Sequence, residues 1–166
     1  MFGTEKNRAK PALWSISIVC WLSVGFALFT QHIWDMQPCP WCIIQRMVYV
    51  AIALLAMAGA LAPVRARSSL PQMVLWACMI LAIVGLGVAL YQAIVGSSQV
   101  SCDLTLAQKI IMASGLDELL PEIFKPRASC VDAAKSKLLG LPYEVVSGAL
   151  FAILAGFGWR SAARRN

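Results

Sequence analysis

One stretch of this sequence could carry out chemistry, because it contains two cysteines and an arginine. It reads Pro38-Cys39-Pro40-Trp41-Cys42-Ile43-Ile44-Gln45-Arg46. A Cys-x-x-Cys pair can close a disulfide, bind a soft metal or exchange electrons. The apolar run from Ile43 predicts a helix, so we expect Cys42 at or just inside its N-terminus, where backbone N–H groups and the helix dipole favour a thiolate. Arg46 follows four residues later on the same helical face. The pattern predicts an activated thiol with a cation one turn behind it.

The composition excludes an ordinary soluble domain. The chain has 166 residues, of which 60% are hydrophobic and 13% are charged, and this balance is typical of an integral membrane protein. The formal net charge of +6 comes from short basic segments and not from a basic patch interleaved with aromatic residues, so it does not indicate nucleic-acid binding. We interpret residues 1–166 as a single membrane domain.

Four apolar runs must position the reactive stretch. Each approaches the length of about 20 residues that a helix needs to cross a hydrocarbon core of about 30 Å. They lie approximately at residues 12–31, 43–62, 71–95 and 142–159. The first is longer than a signal-peptide core, and no small-x-small cleavage pattern follows it, so we interpret it as an uncleaved span. The predicted fold class is all-α, an antiparallel four-helix membrane bundle.

The positions of lysine and arginine predict the orientation of the bundle. Eight of the 14 basic residues lie in the N-terminal tail, in the turn between the second and third spans, and in the C-terminal tail. By the positive-inside rule these segments, and therefore both termini, are expected to be cytoplasmic. The two other loops, approximately residues 32–42 and 96–141, then face the bacterial periplasm or an equivalent oxidising compartment.

This orientation divides the six cysteines into two groups. Four are expected on the oxidising side: Cys39, Cys42, Cys102 and Cys130. Cys20 and Cys78 fall in the middles of spans one and three, where cysteine acts as a small apolar packing residue. The two outer pairs are either static disulfides or partners in thiol-disulfide exchange. Arg46 favours exchange, because its position behind Cys42 suits an electron-accepting ligand at the membrane boundary.

The second outer loop is about 46 residues long, so we expect it to carry structure or function. Apolar residues recur in it at helical spacing: Leu116, Leu119, Leu120, Ile123 and Phe124. Pro121 interrupts the pattern and limits it to two short turns. The segment either lies flat in the membrane interface or forms a small core for the loop. Both interpretations hold the loop close to the first cysteine pair.

Further motifs extend the pattern over nearly the whole chain: Gln31-His32, Ser101-Cys102-Asp103, Cys130 and Leu138-Leu139-Gly140-Leu141-Pro142. The Cys-x-x-Cys-x-x-x-Arg element, the span count and the loop lengths complete the pattern. With these features the sequence specifically resembles the DsbB family of membrane disulfide-bond oxidoreductases.

The resemblance implies a relay. Cys102 matches the cysteine that forms a mixed disulfide with a periplasmic thioredoxin-fold oxidase similar to DsbA, and Cys130 matches the one that then attacks Cys39. Cys42 matches the cysteine that donates electrons to a membrane quinone, either ubiquinone or menaquinone, and Arg46 matches the quinone-site arginine. The implied protein is a quinone-dependent thiol:disulfide oxidoreductase of the bacterial cytoplasmic (inner) membrane, with membrane lipid around it and its active site facing the periplasm.

Three polar features near the motif differ from the family pattern or have no assigned role. Gln45 stands at a position where the family often has an acidic residue, and Tyr91-Gln92 ends the third span. His32, the only histidine, is interpreted as an interfacial polar residue in preference to a proton carrier.

Other functions stay open from the residues. A DsbB-like paralogue or a vitamin-K-epoxide-reductase-like enzyme would keep the chemistry and change the client protein. A thiol-based carrier or sensor would use the four outer cysteines as a tetrahedral site for a soft metal. No additional histidine or methionine ligands cluster along a transport path, so we predict no metal site. A structural module with inert disulfides is the remaining alternative.

Overall fold

The computed structural model describes residues 9–62, 70–96, 104–128, 137–138 and 141–163. The four long helices are α1 (Ala9–Ile33), α2 (Pro40–Leu61), α3 (Leu70–Tyr91) and α7 (Tyr143–Ala163). A π-helical turn, Gln92–Gly96, extends α3. The second loop contributes α4 (Leu104–Ser114), α5 (Leu116–Leu119) and α6 (Pro121–Phe124). Two-residue strands β1 (Lys137–Leu138) and β2 (Leu141–Pro142) form an antiparallel pair immediately before α7.

Four helical segments are long and apolar enough to cross a membrane: Ala9–Ile33, Pro40–Leu61, Leu70–Ile94 and Tyr143–Ala163. They correspond to the four predicted spans, and the all-α four-helix prediction is therefore confirmed. The second helix begins at Pro40, three residues before the predicted start of span two. Proline is well suited to this first position because its missing N–H would have no partner inside the helix.

Contacts between helix ends show that neighbouring long helices run antiparallel. Gly59 near the end of α2 lies against residues near the starts of two other helices. A Cβ built at Gly59 would lie 3.1 Å from Cδ1 of Leu13 in α1 and 2.8 Å from Cγ1 of Val74 in α3. Trp159, near the end of α7, meets Trp76, near the start of α3, edge to face with ring centroids 5.9 Å apart. The four helices therefore form the expected up-and-down bundle.

A stacked aromatic pair occupies the centre of the bundle. The rings of Tyr49 in α2 and Phe151 in α7 are nearly parallel, with centroids 4.1 Å apart. Phe151 is completely buried and lies against Gly85 of α3. Cys20 and Cys78 belong to the same core, with exposed fractions of 0% and 2%. Their prediction as small apolar packing residues is confirmed.

The described part of the second loop packs on the start of α2. A second core joins residues of both segments: Cys39, Trp41, Cys42, Ile43, Ile44, Ala107, Ile111 and Phe124. Helices α5 and α6 are two short turns with Pro121 at the first position of α6, as the sequence predicted. Phe124 is 3% exposed, whereas Leu119 is 74% exposed. The loop is therefore fixed to the bundle through Phe124, while α4 is a helix that the sequence analysis did not predict.

Replacing Gly85 by alanine tests the close contact at the centre of the bundle. A Cβ there would lie 2.6 Å from Cζ of the buried Phe151, and such overpacking typically costs about 1–3 kcal/mol. Gly87→Ala is the matched control, because nothing lies within 4 Å of a Cβ at Gly87. We expect Gly85→Ala to lower the free energy of unfolding in detergent micelles and Gly87→Ala to leave it unchanged or slightly higher. Equal effects from the two variants would contradict this account of the core.

Candidate active site

Cys39 and Cys42 occupy the first turn of α2. Cys39 is the N-cap residue, in extended backbone conformation, and its Sγ accepts a hydrogen bond from the backbone N–H of Cys42 over 3.3 Å. The two Sγ atoms are 2.8 Å apart, and both residues are buried. Sulfur atoms this close can be joined or separated with little backbone movement. Cys42 lies just inside the helix N-terminus, as predicted. Its backbone N–H, however, donates to Sγ of Cys39 and not to its own sulfur.

Arg46 lies one turn deeper and is almost completely buried, with an exposed fraction of 6%. Its Nη1 donates to the backbone carbonyl of Ile123 over 2.7 Å and to Oε1 of Gln31 over 3.1 Å. Nε2 of Gln31 in turn donates to the carbonyl of Glu122 over 3.2 Å. These acceptors satisfy Nη1 of the guanidinium inside the protein, so the side chain does not have to extend to the membrane surface for these hydrogen bonds. They also attach α6 of the second loop to α1 and α2.

Two buried glutamine side chains form a hydrogen-bonded chain that ends at Cys42. Nε2 of Gln92 donates to Sγ of Cys42 over 3.4 Å, and Nε2 of Gln45 donates to Oε1 of Gln92 over 2.8 Å. Gln92 and Gln45 are 4% and 2% exposed. The place of both glutamines in the site was not predicted from the sequence. The sequence does contain a signal that could have identified them: each is a polar side chain within an apolar span. Polar residues at such positions in membrane proteins are often functional.

Cavities at Cys42 and Arg46 share lining residues with an apolar groove. A cleft of about 20 Å³ is lined by Ala27, Thr30, Met36, Gln37, Pro38, Cys42, Arg46 and Tyr143. A smaller cavity of about 10 Å³ shares Ala27, Cys42, Arg46 and Tyr143 with this cleft and is also lined by Gln45, Tyr49 and Ser147. A largely apolar groove of about 280 Å³ between α1 and α7 shares Tyr49, Tyr143 and Ser147 with the smaller cavity. Tyr143 lines all three spaces, so its side chain lies between the apolar groove and the cleft at the reactive sulfur.

The predicted site residues divide into two groups. Cys39, Cys42 and Arg46 come together as expected: the two sulfurs are in contact, and Cys42 and Arg46 line the same cleft. Cys102 and Cys130 lie outside the described residues, so their pairing and their reach to Cys39 stay predictions.

His32 lies outside the lining of the cleft. Its side chain is 51% exposed, and its Nε2 is 3.4 Å from a carboxylate oxygen of Glu122. This position agrees with the interpretation of His32 as an interfacial polar residue.

The family model "Disulfide bond formation protein DsbB" matches residues 9–159 of this sequence. The chain belongs to the DsbB family. Family membership and the four apolar helices together make it a multi-pass membrane protein of disulfide bond formation and a disulfide oxidoreductase.

Relatives with the same name support the assignment over most of the chain. "Disulfide bond formation protein B 1" of Pseudomonas fluorescens is 30% identical over 158 residues, covering 92% of this chain and 90% of the relative. "Disulfide bond formation protein B" of Cupriavidus metallidurans is 30% identical over 129 residues, covering 76% of this chain and 75% of the relative. A relative from Aromatoleum aromaticum reaches 44% identity over 75 residues, 45% of this chain and 43% of its own length. No solved structure matches the chain.

The hydrogen bonds of Gln31 predict how firmly α6 is attached to the bundle. Gln31→Leu keeps the side-chain volume similar but removes the contacts to Arg46 and to the Glu122 carbonyl. Each such bond contributes about 0.5–1.5 kcal/mol, so we expect amide hydrogen exchange in α6 to become about tenfold faster. Hydrogen exchange followed by mass spectrometry measures this change.

His32→Leu is the control for the Gln31 variant, because it removes the exposed contact to Glu122 and a hydrogen bond to the Leu28 carbonyl within α1, but no buried contact to α6. Exposed ion pairs contribute little to stability, so exchange in α6 should change much less. If His32→Leu accelerates exchange as strongly as Gln31→Leu does, the buried hydrogen bonds are not what attaches α6.

Proposed function

We propose that this DsbB-family protein reoxidises a periplasmic DsbA-like thiol oxidase and passes the electrons through two cysteine pairs to membrane quinone. One observation carries the proposal. Cys42 and Arg46 line one cleft, and Sγ of Cys39 lies 2.8 Å from Sγ of Cys42. An exchangeable sulfur pair and a buried cation therefore line one cleft, and Tyr143 of this cleft also lines the apolar groove between α1 and α7.

The side chains around these cavities have the chemistry of a quinone site, and the cleft of about 20 Å³ beside Cys42 would have to open to admit a head group. The groove between α1 and α7 is mostly apolar and suits an isoprenoid tail, whereas the cleft offers the Arg46 guanidinium and the Tyr143 side chain to a polar head group. A bound quinone supplies an acceptor for two electrons and two protons. Ubiquinone and menaquinone both meet these requirements.

The proposed relay moves two electrons inward, toward Cys42, and one disulfide outward, to the partner. A thiolate of the DsbA-like partner attacks Cys102, which breaks the Cys102–Cys130 disulfide, forms a mixed disulfide and releases Cys130 as a thiolate. Cys130 then attacks Cys39, forming an interloop disulfide and breaking the Cys39–Cys42 bond. The second thiol of the partner resolves the mixed disulfide and leaves the partner oxidised. Cys102 then attacks Cys130, which restores the loop disulfide and releases Cys39, and Cys39 and Cys42 re-form their bond as two electrons pass from Cys42 to the acceptor.

The direction of the relay depends on the acceptor. A DsbA-like oxidase has a reduction potential near about −120 mV, and a difference of about 30 mV corresponds to about 1.4 kcal/mol for two electrons. Only a more oxidising acceptor can therefore restore its disulfide. The protein contributes a fixed cation at the end of the relay, because the hydrogen bonds from Arg46 to Ile123 and Gln31 hold the guanidinium beside Cys42 before any charge develops there.

The proposed orientation places both cysteine-bearing loops in the bacterial periplasm and both termini in the cytoplasm, within the inner membrane. The positive-inside rule supports it. The packing of α4 and α6 against the start of α2 supports the part of the proposal that puts both loops on one side of the membrane.

Single-turnover quinone reduction by a reduced DsbA-like protein tests the proposal. We expect Cys42→Ser to abolish it, because the electron-donating thiolate is gone. Arg46→His should reduce the rate about 100-fold or more, since it removes a preorganised cation from a site with little water. Cys20→Ala, a change in the bundle core, should retain the rate.

The same variants separate the relay from a structural role. If the cysteines only hold the fold together, Cys42→Ser lowers the thermal unfolding temperature, and Arg46→His lowers stability through its lost hydrogen bonds to Ile123 and Gln31 without a separate effect on quinone reduction. Normal quinone reduction by a folded Arg46→His variant would overturn the role assigned to this arginine.

A further inference from the structure

We infer that Gln92, held in orientation by Gln45, is a positioning residue that stabilises the thiolate of Cys42. The inference deepens the proposed function and rests on it in one respect, namely that Cys42 is the sulfur that carries charge. It assigns a role to two buried amides that the sequence motif leaves outside the relay.

The first observation is the contact itself. Nε2 of Gln92 lies 3.4 Å from Sγ of Cys42, and Gln92 is 4% exposed. Water is scarce at such a position, so a negative sulfur depends on donors supplied by the protein. A hydrogen bond to a charged acceptor contributes more than one between neutral groups. Gln92 therefore favours the thiolate of Cys42 over its thiol.

The second observation fixes the direction in which the Gln92 amide points. Its Oε1 accepts from Nε2 of Gln45 over 2.8 Å, so its NH₂ group is turned toward Cys42. A thiolate only accepts hydrogen bonds, and this is the orientation that it requires. Gln45 thus acts on Cys42 through Gln92.

The third observation is that the end of α3 is held against the turn between the two cysteines. The rings of Tyr91 and Trp41 are in contact, with centroids 4.9 Å apart. Gln92 follows Tyr91 directly and begins the π-helical turn, and such turns are frequent at functional sites. Trp41 lies between Cys39 and Cys42, so this aromatic contact maintains the distance over which Gln92 reaches the sulfur.

The two sulfurs therefore accept hydrogen bonds from different donor groups. Cys39 accepts from the backbone N–H of Cys42, whereas Cys42 accepts from the side chain of Gln92. In thiol-disulfide exchange the sulfur that is more stable as a thiolate leaves faster. Gln92 therefore favours attack on Cys39 with release of Cys42, which is the direction that the relay requires.

The experiment measures the pH profile of Cys42 alkylation in the reduced, detergent-solubilised protein, with iodoacetamide as the probe and peptide mass spectrometry as the readout. Gln92→Met removes the donor and preserves side-chain length. We expect the midpoint of the profile to move to higher pH, with about tenfold less thiolate at neutral pH. Gln108→Met, an exposed change on α4, is the matched control and should leave the profile unchanged.

A double-mutant cycle tests whether Gln45 acts through Gln92. Gln45→Met alone should move the profile in the same direction by a smaller amount, because Gln92 loses the partner that orients it. In the Gln92→Met background the Gln45 change should add nothing. Gln45→Met also removes a buried oxygen, Oε1, that has no hydrogen-bond partner among the described residues, which favours a folded variant.

An unchanged Cys42 profile in a folded Gln92→Met protein overturns the inference. If that variant does not fold, an unchanged profile in Gln45→Met overturns it instead. The assay contains no quinone, so it is independent of the electron acceptor. If Gln92→Met shifts the profile but the wild-type protein fails to reduce quinone, the positioning role is supported and the proposed acceptor is rejected.

Discussion

The buried guanidinium of Arg46 is the constraint on which the rest of the site depends. A cation inside an apolar bundle needs acceptors, and here they come from the carbonyl of Ile123 in the second loop and from Gln31 in the first helix. Satisfying Arg46 therefore attaches the loop to the membrane helices. The same contacts place Phe124 against the first turn of α2. One electrostatic requirement thus brings the loop close to the cysteine pair and holds a positive charge in the cleft.

Cys42 combines three influences that arise from different parts of the chain. The start of α2 contributes the helix dipole, Arg46 contributes a cation one turn deeper, and Gln92 contributes a hydrogen-bond donor from the end of α3. Cys39 has a different environment, because it caps the helix and accepts the Cys42 N–H. The two sulfurs of one short motif are therefore chemically unequal, and this inequality gives direction to an exchange reaction that would otherwise be symmetrical.

The sequence predicted features that depend on local chemistry. Apolar run length indicated the four spans, Pro121 indicated the break between α5 and α6, and the spacing of Cys42 and Arg46 placed them on one helical face. It did not predict contacts between residues far apart in the chain. The bond from Gln92 to Cys42 joins positions 50 residues apart, and the bond from Arg46 to Ile123 joins positions 77 residues apart. These partners depend on how the helices and the loop pack together in three dimensions. A single sequence does not specify that packing, because no periodic pattern marks these positions.

The central claim is that a Cys42 thiolate lies beside a bound quinone. The visible absorption spectrum of the quinone-loaded protein, recorded during partial reduction by a dithiol partner, tests it most directly. The account predicts a charge-transfer band that appears on partial reduction and is absent in Cys42→Ser. Reduction that produces no such band and consumes no quinone would contradict it, and the four outer cysteines would then have to be titrated with soft metals.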